Sequence, residues 1–115
     1  MNLLRSIVEA GIPLAIGSDG PRSPGLNIML ATLHLNVPSE ALTREQAVIA
    51  YTRGSAWAAF AERERGTIAV GQLADLAVLS HDVFTVPADV LPTIVSVITI
   101  VGGAVLYERA DPPIR

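Results

Sequence analysis

The sequence predicts a mixed fold, α/β passing to α+β, and three observations carry that prediction. The chain opens with a helical pattern, a Gly and a short apolar run, which is the αβ half of a βαβ unit. Near Gly66 the composition shifts from Ala-rich helical stretches to Val/Ile-rich strand stretches. Close to the carboxyl end, Gly102-Gly103 separates two apolar runs, a two-residue hairpin signal because both turn positions tolerate φ > 0.

Leu3, Leu4, Ile7, Val8 and Ala10 fall at helical spacing, so Asn2 to Ala10 is expected as a helix that Gly11 stops. Ile12 to Ile16 is wholly apolar and reads as a short strand buried on both faces, as in a parallel sheet covered by helices. It ends in Gly17-Ser18-Asp19. A Pro/Gly-rich loop from Gly20 to Gly25 follows, then a helix over Leu26 to Leu35 that Pro38 closes off. Thr43-Arg-Glu-Gln46 is a capping-box pattern opening a helix through Ala47 and Tyr51, to about Thr52. Gly54-Ser55 marks a restart, and a second helix carries Trp57, Ala58 and Phe60. Glu62 to Arg65 is expected as a solvated helix end.

Beyond Gly66, Gly66 and Gly71 punctuate two short apolar stretches, and Leu76 to Leu79 is the clearest strand. His81 to Asp89 reads as a loop containing Pro87. Ile94 to Val101 and Ala104 to Tyr107 are the two arms of the hairpin, expected to lie in the core. The tail from Ala110 to Arg115 is expected to fray.

Val90 to Tyr107 has 18 residues without a charge, the length at which a membrane span must be considered. Pro92, Gly102-Gly103 and the β-branched middle favour the buried hairpin instead. The opening stretch contains Glu9 and no apolar segment long enough for a signal peptide. The 115 residues suffice for one domain with a true core, and 50% apolar against 17% charged residues argues against disorder. Net charge is −3 with no basic run, so no nucleic-acid footprint exists. All 8 basic residues are Arg. Absence of Cys excludes disulfides, a thiol nucleophile and thiolate metal ligands, and is compatible with a cytoplasmic protein.

The order of motifs resembles the amidohydrolase superfamily. A helix, a Gly and an apolar strand ending in Gly17-Ser18-Asp19 look like the eighth strand of its barrel. The capped helix with "YTRGSAWAAF" is similar to the helices that follow. "GTIAVGQLADLAVLSHD" resembles the superfamily's return segment, and "VITIVGGAVLYER" the closing hairpin of its small β domain. "GSDGP", together with "TVPADVLPTIV", is nearest to the amidohydrolase-3 group, which includes N-substituted formamide deformylase-like and D-aminoacylase-like enzymes. The resemblance covers nearly the whole chain.

The resemblance implies the last βα unit of a metal-dependent (β/α)₈ barrel in residues 1–65 and part of the small β-sandwich, or composite, domain in residues 66–115. It implies hydrolysis of C–N bonds other than peptide bonds in a small amide-type substrate. Asp19 would be both metal ligand and catalytic proton acceptor, at the carboxyl end of a barrel strand where such chemistry sits. The plainer alternative is that Asp19 only shapes an Asp-Gly-Pro turn.

The chain also departs from that family. Its members begin their site, usually a zinc site, with a His-x-His pair, and add further His and often a carboxylated Lys. Here there are only 2 His and no Lys. His34 lies in an apolar helix and reads as a half-buried or surface residue. His81 belongs to a loop, and adjacent Ser80-His81-Asp82 is not triad geometry. A catalytic zinc needs about three protein ligands. Asp19 alone is too few, so the isolated chain is expected to hold no metal and to be inactive. Asp75 reads as a structural carboxylate at a strand start, Arg22 as a solvated loop residue, Glu9 and Glu45 as helix-face acids. Gly66 to Gly71 lacks the Gly-Lys-Ser/Thr end of a phosphate loop. A chain starting at Met1 with this content fits a shortened gene or a cloned piece. Missing neighbours of the Ile12–Ile16 strand suggest a homo-oligomer, and a non-catalytic oligomerising domain is the alternative function.

Overall fold

The computed structural model describes residues 2–20 and 22–110. Four α-helices precede a small antiparallel sheet, an α+β arrangement: α1 (Leu4–Glu9), α2 (Pro24–Leu33), α3 (Arg44–Tyr51), α4 (Arg53–Ala58), β1 (Leu76–Leu79), β2 (Ser96–Val101) and β3 (Ala104–Glu108). Short 3₁₀ turns lie at Pro38–Glu40 and Ala88–Thr93. The latter turn was not expected from the sequence.

The starts of α2 and α3 have a local cause. Ser23 caps α2, its hydroxyl accepting from the Leu26 N–H at 3.2 Å, and Pro24 occupies the first turn. This Ser-Pro pair moves the start two residues ahead of the expected Leu26. His34, at φ 43, ends the helix in the left-handed region, so Leu35 lies outside it. The expected capping box at α3 is present: the Gln46 N–H donates to Thr43 Oγ1 at 3.1 Å, and the Thr43 N–H to Gln46 Oε1 at 2.9 Å. Thr52 breaks the chain between α3 and α4, as the expected restart required.

The strand order is β1-β2-β3, antiparallel throughout. Leu76 faces Ile100, and Ile98 faces Glu108. Gly102 and Gly103 have φ of 57° and 84°, the paired left-handed conformation of a tight hairpin turn.

The core gathers Ile28, Ala31, Leu42, Ala47, Val83, Leu91 and Ile94. It therefore draws on the helices before Gly66 and the loop and turn after it. Two features lock these parts together. A Cβ at Gly25 would stand 1.9 Å from the Leu91 carbonyl oxygen, so the first turn of α2 touches the 88–93 turn backbone to backbone. The Arg44 guanidinium donates to the carbonyls of Val83 and Val86 at 2.7 and 2.9 Å.

Four expectations need correction. Ile12 to Ile16 is irregular and pairs with no strand among the described residues; Ile12 and Pro13 are exposed. An apolar run makes a strand only when another backbone offers it a ladder, and none does here. The hairpin forms, yet β3 is exposed along its whole length, so it is an edge and not core. Phe60 lies beyond α4 at φ 57 and is exposed. Glu62 to Arg65 is exposed as expected, but forms turns and not a helix end. Of the tail expected to fray, 111–115 lies outside the described residues, as does Pro21 of the Asp-Gly-Pro turn.

Candidate functional site

Asp19 closes the run 12–18 and is exposed, with φ 41 in the left-handed region. For a residue with a Cβ that conformation is uncommon, although Asp tolerates it better than most. The run leading to it is tied to the helices by backbone groups. The Ile16 N–H donates to the Ala50 carbonyl at 3.2 Å. Ser55 Oγ lies 3.0 Å from the Ala50 carbonyl oxygen and 3.4 Å from that of Ile16. Beside the run lies an open cleft of about 550 Å³, lined by Ile16, Gly17 and Ser18, by Asn27 and Ala31 of α2 and by His34 just past its end. Asn27 Nδ2 is buried, with no hydrogen-bond partner among the described residues.

Both histidines have hydrogen-bond partners other than Asp19. His34 is buried, and both its ring nitrogens are engaged. Nδ1 accepts from the Val37 N–H at 3.1 Å, so Nε2 carries the proton and donates to the Asn2 carbonyl at 2.7 Å. This is more burial than the sequence suggested, in a structural role. His81 is exposed, with Nδ1 3.0 Å from Ser80 Oγ. The Asp82 carboxylate instead accepts from the Phe84 N–H at 2.9 Å, so the three neighbours form no relay.

Asp75 is the structural carboxylate expected at a strand start. Its Oδ1 accepts from the Gly102 N–H at 2.8 Å, and its Oδ2 lies 3.7 Å from Arg65 Nη1. Arg22 is exposed. Glu9 pairs with Arg5 on the outer face of α1 at 2.7 Å. The sequence reading passed over Glu40, whose carboxylate accepts from both the Ser6 N–H (2.9 Å) and the Ser6 hydroxyl (2.6 Å). These bonds, the hydroxyl first, hold its carboxyl below the usual carboxylate value. No local signal announces a pair 34 residues apart.

Among the described residues, no three His, Asp or Glu side chains come close enough to share a metal ion. No helix among the described residues is long and apolar enough to cross a membrane.

The run ending in an exposed Asp, the capped helix pair and the hairpin occur within one matched sequence family. The model of the amidohydrolase family matches residues 2–107. The chain belongs to that family, in its amidohydrolase-3 group, and corresponds to a C-terminal portion of its members. It is 35% identical, over 92% of its length, to YtcJ of Bacillus subtilis (strain 168), whose name classes it as an amidohydrolase. It is 30% identical over 92% to an N-substituted formamide deformylase of Arthrobacter pascens. With an imidazolonepropionase of Thermoplasma acidophilum it shares 31% identity over 93% of the chain. The chain spans only 21% to 26% of the length of these relatives. No solved structure gives a significant match.

Proposed function

We propose that the chain is part of a metal-dependent amidohydrolase acting on C–N bonds other than peptide bonds, with Asp19 as its contribution to the reacting centre. The observation that supports this most is the family match across residues 2–107, with an exposed carboxylate at the tip of the one apolar run the family reading singles out. Two of the relatives are named for work on amide-type or ring C–N compounds, a formamide deformylase and an imidazolonepropionase. A small amide-type substrate is therefore the class we assign to the complete protein. Asp19 would supply one metal ligand, and the other ligands, with the metal (zinc is our choice), would come from outside these residues. By itself the 115-residue chain is inactive.

Elemental analysis and an assay with N-acyl and formamide substrates test that last statement. The expected result is no stoichiometric metal and no hydrolysis. About one tightly bound zinc per chain, lost in Asp19→Ala, would overturn it. The role of Asp19 is tested where the segment is joined to a His-x-His portion, which the reading frame upstream of Met1 would reveal. There, Asp19→Asn should lower turnover at least about 100-fold, the scale of a lost general base. Full turnover in that variant would sink the assignment.

A second reading, a non-catalytic oligomerising domain, is favoured by one observation. The exposed β3 edge carries Val105, Leu106 and Tyr107, each at least half exposed. We propose that the isolated chain self-associates through such unpaired backbone. Light scattering at micromolar concentration should give a mass above that of one chain; a monomer mass unchanged on dilution would count against it.

A further inference from the structure

We propose that Gly54 and Ser55, at the break between α3 and α4, are positioning residues for Asp19; this rests on the reading of Asp19 as the reacting carboxylate. The run 12–18 has no strand beside it among the described residues, so something else must set its course. Beyond the Ile12 N–H bond to the Ile7 carbonyl at its start (3.1 Å), the backbone contacts that do so converge on the α3–α4 break.

The break supplies the acceptor. α3 ends at Tyr51, and Thr52, at φ −114 and ψ −84, interrupts the helix. Ala50 lies in the last turn of α3, where carbonyls lose their intrahelical partners. That carbonyl is free to take the Ile16 N–H at 3.2 Å, the kind of bond a neighbouring strand would otherwise supply. Ser55, in the first turn of α4, sits against the same junction, 3.0 Å from the Ala50 carbonyl oxygen and 3.4 Å from that of Ile16. Its single hydroxyl proton serves the nearer Ala50 oxygen first.

Gly54 supplies the space. A Cβ there would stand 2.0 Å from the Leu14 carbonyl oxygen and 3.1 Å from its carbon. No side chain can rotate away, because the obstacle is backbone. Any other residue at 54 must push the run off the helix pair. Asp19 follows three residues after Ile16 and holds φ 41. That conformation is uncommon for a residue with a Cβ, though Asp adopts it more readily than most, and the run before it sets where the residue falls. The carboxylate's direction is therefore inherited from Leu14 and Ile16, and through them from residues 54 and 55.

Amide NMR on the 115-residue chain tests this with Asp19 intact. In Ser55→Ala the signals of Ile16 to Asp19 should move, and exchange of the Ile16 amide should quicken about fivefold, the effect of losing one ordinary hydrogen bond. Ser55→Thr should restore both. Gly54→Ala should move the signals of Leu14 to Asp19 further. Gly25→Ala is the matched control, since its Cβ meets the Leu91 carbonyl oxygen at 1.9 Å. It should lower thermal stability similarly while leaving the 14–19 signals in place. Unmoved 14–19 signals in Ser55→Ala, or an equal movement in Gly25→Ala, would overturn the proposal. If Gly54→Ala does not fold, the Ser55→Ala and Ser55→Thr pair decides alone. The catalytic reading of Asp19 stands or falls separately, on the turnover of Asp19→Asn in the longer protein.

Discussion

Glu40 and His34 dock the amino-terminal helix by polar contacts. α1 contains no fully buried residue, though Leu4 and Val8 pack against the edge of the core. His34 takes hold of the Asn2 carbonyl just before the helix, and Glu40 of the Ser6 N–H and hydroxyl within its first turns. The Ser6 bonds favour the charged carboxylate, so Glu40 titrates lower in the folded protein than in the unfolded chain. Its contribution is thus present above the ordinary carboxylate value and lost as pH falls through the lowered one. The Ser6 amide signal should therefore titrate in the acid range, below the ordinary carboxylate value, and Glu40→Gln should abolish that titration. A wild-type Ser6 signal that stays fixed over this range would contradict the docking role.

At the scale of elements, the hairpin turn is the most exacting feature. Gly102 and Gly103 both sit at positive φ, and a Cβ on either would meet nothing within 4 Å. Space is therefore not what demands glycine there; backbone conformation is. Two further bonds fix the turn to the entry of β1: the Gly102 N–H to the Asp75 carboxylate at 2.8 Å and the Gly103 N–H to the Ala74 carbonyl at 3.1 Å. Replacing both glycines by Val should cost more than about 1 kcal/mol, because β-branched residues resist the left-handed region. Thermal denaturation measures this, and an unchanged midpoint would argue against the turn.

On the scale of the whole molecule, one core serves the helices and the segment that leads to the sheet. Leu91 is fully buried in the 88–93 turn and packs with Ile28, Ala31 and Ala47. Arg44 ties α3 to the loop ahead of that turn by two carbonyls. Leu91→Ala should destabilise by about 2–5 kcal/mol, the range for emptying a buried leucine site. Because Leu91 touches the helices of the first half, the signals of α2 should be lost in the same denaturant transition as those of the sheet. A variant in which only the sheet melts would show that the two parts are stabilised independently.

What the sequence determined by itself is local. The Thr43–Gln46 cap and the Gly-Gly turn depend on residues in short range or on a conformation that only glycine takes easily. So does the motif order that marks the family. The tertiary structure decided what those signals leave open. Ile12 to Ile16 announces a need for burial but cannot name what covers it, and here its backbone leans on the α3–α4 break instead of a strand. β3 has the composition of a core strand and lies on an open edge. Gly25 and Gly54 look like ordinary loop or restart glycines until the Leu91 and Leu14 carbonyls are seen above them. His34 and Glu40 find their partners across more than thirty residues. The physical reason is the same in each case: a hydrogen-bond ladder or a close backbone contact needs two chain segments, and an amino-acid pattern specifies only one of them.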